Sequence, residues 1–215
     1  MRTIMVLNPK GGSGKSTISM NLATYYADEG QRVTLADYDP QGSCLDWLEA
    51  RRDYTGIPEI RGVAAWQAKP RIPANSDYVI MDVPARTHGH ELANLLAHAQ
   101  SVIMPVLPSP IDMRAAVRYV EELGKTAAIS KDKTRMALVA NRVRERTVIA
   151  HDLDAFLHKL GVPLVATLRE SQNYVRAAQT GLGIFELAPS AAQADVDQWV
   201  PLLTWLDSAA SRPKH

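Results

Sequence analysis

The chain has 215 residues, a formal net charge of +1 and one cysteine. Its length suits one large α/β domain with a substantial core, and its small charge leaves any attraction to nucleic acid to a local patch rather than to the field of the whole molecule. A lone Cys44 excludes an intrachain disulfide framework and a four-cysteine metal site and suits a reducing cytoplasm, while no apolar run approaches the roughly 20 residues of a membrane span.

The first predicted element is a β-strand over Thr3 to Leu7, and directly after it residues 10–17 read Lys-Gly-Gly-Ser-Gly-Lys-Ser-Thr before a helix over Ser16 to Asp28. Strand, glycine-rich turn and helix in this order form a phosphate-binding loop. The backbone N–H groups of Gly11, Gly12, Ser13 and Gly14 can close around a polyphosphate, Lys15 can neutralise its outer phosphates, and the hydroxyl pair Ser16 and Thr17 can serve the phosphates and an accompanying magnesium ion. The helix points its positive end at the same place. The loop departs from the usual Gly-x-x-x-x-Gly-Lys-Ser/Thr pattern, because Pro9 stands at the first glycine and a second lysine, Lys10, lies inside it.

The second strand, Arg32 to Ala36, runs into Asp37-Tyr38-Asp39-Pro40-Gln41-Gly42. Alternate residues share a face, so Asp37 and Asp39 can both point at the carboxyl edge of a parallel sheet, where the phosphate loop lies. Tyr54 to Asn75, interrupted by prolines and glycines, is the least regular stretch and is expected to carry one short strand and a helix. Tyr78 to Met81 is an apolar strand ending in a third acid, Asp82, placed to hold magnesium through water. Further strands are expected over Ser101 to Val106, Met136 to Ala140 and Leu164 to Leu168. Asp112 is read as the N-cap of a helix over Met113 to Ala128. Asn141 closes one strand and is followed by Arg142, Arg144 and Arg146; Arg169 and Arg176 flank another polar segment. His88 and His90 read as surface residues, Cys44 as a small apolar helix residue, and Val196 to Leu206 as a core helix. Strands alternating with helices predict a mostly parallel, twisted sheet covered on both faces, in one domain over residues 1–210 with a loose tail over 211–215.

The Lys-Gly-Gly-x-Gly-Lys-Ser/Thr loop, the Asp37-x-Asp39-Pro-Gln-Gly segment and Asp82-x-Pro84 together resemble the ParA/MinD family of deviant Walker A ATPases, and among them the short ParF-like and McdA-like members. The resemblance implies ATP hydrolysis with Mg2+, slow until a partner and DNA stimulate it. It gives Lys10 a reach across a homodimer interface to the partner subunit's nucleotide, Asp39 a hand in orienting the attacking water, Asp37 support of the magnesium shell, and Asn141 a contact with the base. Arg169 and Arg176 fall in the region that supplies sequence-independent contacts to nucleoid DNA. A ParB-like or cargo-adaptor activator is the implied partner, and a plasmid, a chromosome region or a protein organelle such as the carboxysome the implied cargo. Many members carry a second proline where Ala85 stands. The sequence opens at the phosphate loop, so no N-terminal helix-turn-helix is expected. A MinD-like membrane switch and a metabolic P-loop enzyme are the alternatives. The first is disfavoured by Asp195, Asp197 and Asp207 around the last helix, the wrong charge for an anionic lipid surface.

Overall fold

The computed structural model describes residues 1–67, 70–144, 153, 156–158 and 160–213. Seven strands form one sheet: β1 (Arg2–Val6), β2 (Val33–Asp37), β3 (Ile60–Ala64), β4 (Tyr78–Asp82), β5 (Ser101–Val106), β6 (Arg135–Val143) and β7 (Leu164–Arg169). Their order is β3-β2-β4-β1-β5-β6-β7, and every neighbouring pair is parallel.

Parallel strands must be covered on both faces, which is why β1, β2 and β5 are buried along their whole length. Alternation along β1 divides the core. Ile4 and Val6 face a cluster with Ile18 and Leu22 of α1 (Lys15–Asp28) and with Leu202 and Leu206 of α8 (Val200–Asp207). Met5 and Leu7 face the opposite cluster, with Leu92 and Leu96 of α3 (Gly89–His98) and Tyr119 and Leu123 of α4 (Pro110–Gly124). The core role expected of the last helix therefore holds, and within it Val200 is the large apolar residue left exposed, at 54%.

Further helices are α2 (Ser43–Arg51), α5 (Ala127–Ser130), α6 (Gln172–Gln179) and α7 (Pro189–Val196). After β4 the chain crosses to the other side of β1 to form β5, so the order reverses around β1. Open α/β sheets bind ligands at such a point, beyond the carboxyl ends of the strands. Register completes the placement, because Asp82 lies opposite both Val6 and Asp37.

Three local expectations are corrected. The irregular stretch contributes β3, but no helix occurs among its described residues, where Pro70 and Pro73 oppose one. The helix expected from Met113 begins at Pro110, and its N-cap is Ser109, whose Oγ accepts the Asp112 backbone N–H at 3.1 Å. Pro at the first helical position suits the unpaired first turn. The loose tail expected over residues 211–215 does not include Ser211. Ser211 is fully buried, and its Oγ accepts from buried Arg2 at 2.7 Å.

Candidate nucleotide site

The loop between β1 and α1 is held from below by Asn8 and from the side by Asn141. Asn8 Oδ1 accepts the Lys10 backbone N–H at 2.7 Å, and Asn141 Nδ2 donates to the Ser13 carbonyl at 2.8 Å. Gly12 and Gly14 take φ values of +76° and +89°, which glycine adopts without strain. A Cβ on Gly14 would also stand 2.2 Å from Asn141 Nδ2. Gly14→Ala is therefore expected to lose about 2 kcal/mol of stability, from the left-handed backbone and the displaced Asn141 hydrogen bond. A lower urea midpoint with an unchanged slope is the result to look for.

Lys15 is buried, with Nζ 3.3 Å from the Lys10 carbonyl oxygen. Burial lowers its pKa, opposed by the nearby Asp82 and Asp39 carboxylates. An ammonium so short of solvation gains from an incoming phosphate. Ser16 Oγ donates to Asp82 Oδ2 at 2.7 Å, and Ser19 Oγ to Asp82 Oδ1 at 3.2 Å. Cys44 adds a third donor, its Sγ 3.3 Å from Asp82 Oδ2. Burial, with Asp82 and Asp37 alongside, pushes the Cys44 thiol well up, so it stays protonated and able to donate. Burial likewise raises the Asp82 carboxyl, while its hydrogen bonds and Lys15 pull it back.

The adjoining acids have distinct surroundings. Asp37 is fully buried, and its oxygens accept the backbone N–H groups of Asp39 at 3.0 Å and Cys44 at 2.9 Å. It thus fastens the turn that starts α2. Burial moves its carboxyl up to about 6 against those hydrogen bonds. Asp39 is half-buried on the same turn, and its Oδ1 accepts the Gln41 N–H at 3.0 Å. Gly42, with φ +69°, leads into α2.

These groups border a cleft of about 1110 Å³ lined by Gly11, Gly12, Gly14, Lys15, Ser16 and Asp39 on one side and by β7 and α6 on the other. Lys10 does not line it. Its Nζ instead lies 4.0 Å from Asp112 Oδ1 on α4, with 39% of the side chain exposed. For magnesium the donor set is suitable: a serine hydroxyl on a carboxylate, both hard oxygen donors at the phosphate end of the cleft, to be completed by phosphate oxygens and water. Held there, the ion would neutralise charge on the phosphates.

The model of the CobQ/CobB/MinD/ParA nucleotide-binding domain matches residues 4–184, most of the chain and the whole of this cleft's phosphate side. The chain belongs to the ParA/MinD family. "Maintenance of carboxysome distribution protein A" of Halothiobacillus neapolitanus is 30% identical over 190 residues, covering 86% of this chain and 87% of that protein. The protein of the same name from Gloeobacter kilaueensis is 29% identical over 205 residues, covering 91% and 90%. Among solved structures, apo McdA from Cyanothece superposes with a TM-score of 0.72 at 16% identity, over 94% of this chain and 99% of that one, which speaks for the fold.

Other residues singled out in this ParA/MinD-family chain fall in different places. Asn141 is buried beside the loop and lines the cleft, with its amide spent on Ser13. Arg176 is exposed on α6. Arg169 is partly buried and paired: its Nε donates to the buried Asp195 carboxylate and its backbone N–H to Gln198 Oε1 at 2.7 Å. Arg142 and Arg144 both pair with Glu170, at 3.2 and 2.6 Å, and Arg146 lies outside the described residues. Sequence reasoning missed the Cys44 donor and a buried ion pair between Arg51 of α2 and Glu186, each 5% exposed. It also missed the far wall of the cleft on β7 and α6, which no local motif marks.

Proposed function

We propose that this chain is an ATP-hydrolysing switch: Mg2+ and ATP drive a homodimer, the dimer binds DNA without sequence preference, and a partner protein stimulates hydrolysis and release. The observation that carries the reading is the convergence of Lys15, Ser16 and Asp82 under a glycine-rich loop, with Asp39 on the rim of the same open cleft. Lys15 would bind the outer phosphates, Ser16 and Asp82 would hold the ion, and Asp39 would orient the attacking water. Transfer to water then needs positioning and charge neutralisation but no protein nucleophile.

Lys10 would complete the partner subunit's site, since its side chain turns from its own cleft toward α4. The names of the relatives from Halothiobacillus neapolitanus and Gloeobacter kilaueensis favour a carboxysome-like body among the cargoes such a switch could place, with a cargo adaptor as activator. The membrane-switch alternative loses support from α8, whose Leu202, Leu203 and Leu206 are in the core. No helix among the described residues is long and apolar enough to cross a membrane.

The test is fluorescence anisotropy of an arbitrary-sequence duplex titrated with protein in ATP, ADP and no nucleotide, at two salt concentrations. Salt-sensitive binding that requires ATP is expected. Arg176→Glu is expected to weaken it and to flatten the salt dependence by about one to two counterions, with hydrolysis in the absence of DNA unchanged. Binding that ignores nucleotide, or none at all, would remove the DNA step and send the search to liposomes.

A further inference from the structure

The cleft's second wall is the end of β7, the turn after it and the first part of α6, contributed by Leu168, Arg169, Glu170, Ser171 and Tyr174. One carboxylate ties three parts of this wall together. Asp195 of α7 is fully buried, yet it carries no backbone of the wall itself. Its Oδ1 accepts from Arg169 Nε, and its Oδ2 accepts from Ser171 Oγ at 3.0 Å and Asn173 Nδ2 at 2.6 Å. The three donors come from the strand end, the turn and the first helical turn. Ser171 is also the N-cap of α6, accepting the Asn173 N–H at 3.2 Å. Gln198 grips the Arg169 amide, and Trp199 Nε1 donates to the Tyr174 hydroxyl at 2.9 Å, so the same stretch of chain clamps the wall twice more.

A buried carboxylate is costly unless paired and hydrogen-bonded, and a buried ion pair rarely gains more stability than apolar packing would. What this cluster provides is position. We propose that Asp195 is a positioning residue of the nucleotide site, fixing the β7–α6 turn as the wall that receives the nucleoside part of a bound nucleotide. The phosphate loop takes the phosphates at the other end, which leaves this wall for the remainder. The inference rests on the nucleotide reading above. It also gives Arg169 a different part from that of a DNA contact, since its guanidinium is committed to the wall's anchor.

The test uses the full chain and two Mg2+-loaded probes, ATP and inorganic tripolyphosphate, titrated by calorimetry. Tripolyphosphate engages the phosphate loop and has no nucleoside. Asp195→Asn keeps the shape and removes the charge, and is expected to weaken ATP about tenfold while leaving tripolyphosphate affinity unaltered. In hydrolysis the loss should fall on KM rather than kcat. Asn173→Ala, which leaves the Arg169–Asp195 pair intact, should shift ATP the same way by less. Thermal melts establish that each variant is folded; if Asp195→Asn is not, Asn173→Ala decides by the same criterion. Unchanged ATP affinity in a folded variant, or equal losses for both probes, would overturn the proposal. Wild-type protein that binds neither probe would instead sink the nucleotide reading itself.

Discussion

Asp39→Ala is expected to lower ATP turnover by about 10²-fold or more while ATP still binds, because positioning an attacking water is worth that much and the phosphates are held by other residues. The two proposed tasks fall on separate elements. Lys15 and Ser16 reach the phosphate end from α1, whereas Asp39 stands on the β2–α2 turn at the cleft's rim. The turn does not depend on the Asp39 side chain, since Asp37 beneath it accepts the backbone N–H groups of Asp39 and Cys44. What the alanine loses locally is the acceptor for the Gln41 N–H, a half-exposed bond worth about 1 kcal/mol. Phosphate release under saturating ATP, paired with an equilibrium titration of a fluorescent ATP analogue, reads the split directly. Asp39→Asn keeps the Gln41 acceptor and should be as slow as the alanine. Unaltered turnover in either variant would take Asp39 out of the hydrolytic step; turnover and affinity falling together would make it a binding residue.

How far these residues could be read in advance depended on the range over which each is specified. The phosphate loop is local: eight consecutive glycine, lysine and hydroxyl residues in a fixed order after a strand declare their chemistry before any fold is known. Asp37, Asp39 and Asp82 were legible at one remove, because parallel strands deliver their last residues to one edge and the register puts Asp37 opposite Asp82. Six of the strands show in the sequence as apolar runs, and β1, β2 and β5 among them are buried along their whole length because both faces of the sheet are covered there. What the sequence did not reveal is set by contacts across long separations. Nothing near Cys44 announces a thiol donor to Asp82, and nothing near Arg169 announces its pairing with a carboxylate on a helix beyond α6. A run of arginines likewise gives no sign of the partners that the fold supplies, Glu170 and Asp195. The start of α4 failed for a smaller reason. Ser109 and Asp112 are both good caps, and Pro110 between them favours the earlier one.

Lys10→Ala is expected to abolish the ATP-dependent dimer and, with it, to cut turnover by about 10³-fold, the scale on which a cation supplied in trans assists phosphoryl transfer. Backbone and side chain of Lys10 have different duties, which makes the prediction sharp. The backbone belongs to the loop: its N–H is held by Asn8, and its carbonyl accepts from Ser13 Oγ at 3.2 Å and Lys15 Nζ at 3.3 Å. Alanine keeps all three bonds, so the loop and its affinity for ATP should survive. The ammonium lies outside the lining of its own cleft and rests 4.0 Å from Asp112, at a separation that holds it only loosely. Its long stem is free to swing toward a second subunit carrying a polyphosphate, a far stronger anion than one carboxylate. Sedimentation velocity with ATP, run in the Asp39→Ala background so that hydrolysis does not empty the site, reports the dimer. Asp112→Ala is the companion variant. Releasing the lysine from its resting partner should leave dimerisation intact or strengthen it, whereas Lys10→Ala should leave monomers that still bind ATP. A Lys10→Ala protein that dimerises like its parent would show that the second lysine works within its own subunit, and the interface would then have to be sought elsewhere on the cleft's rim.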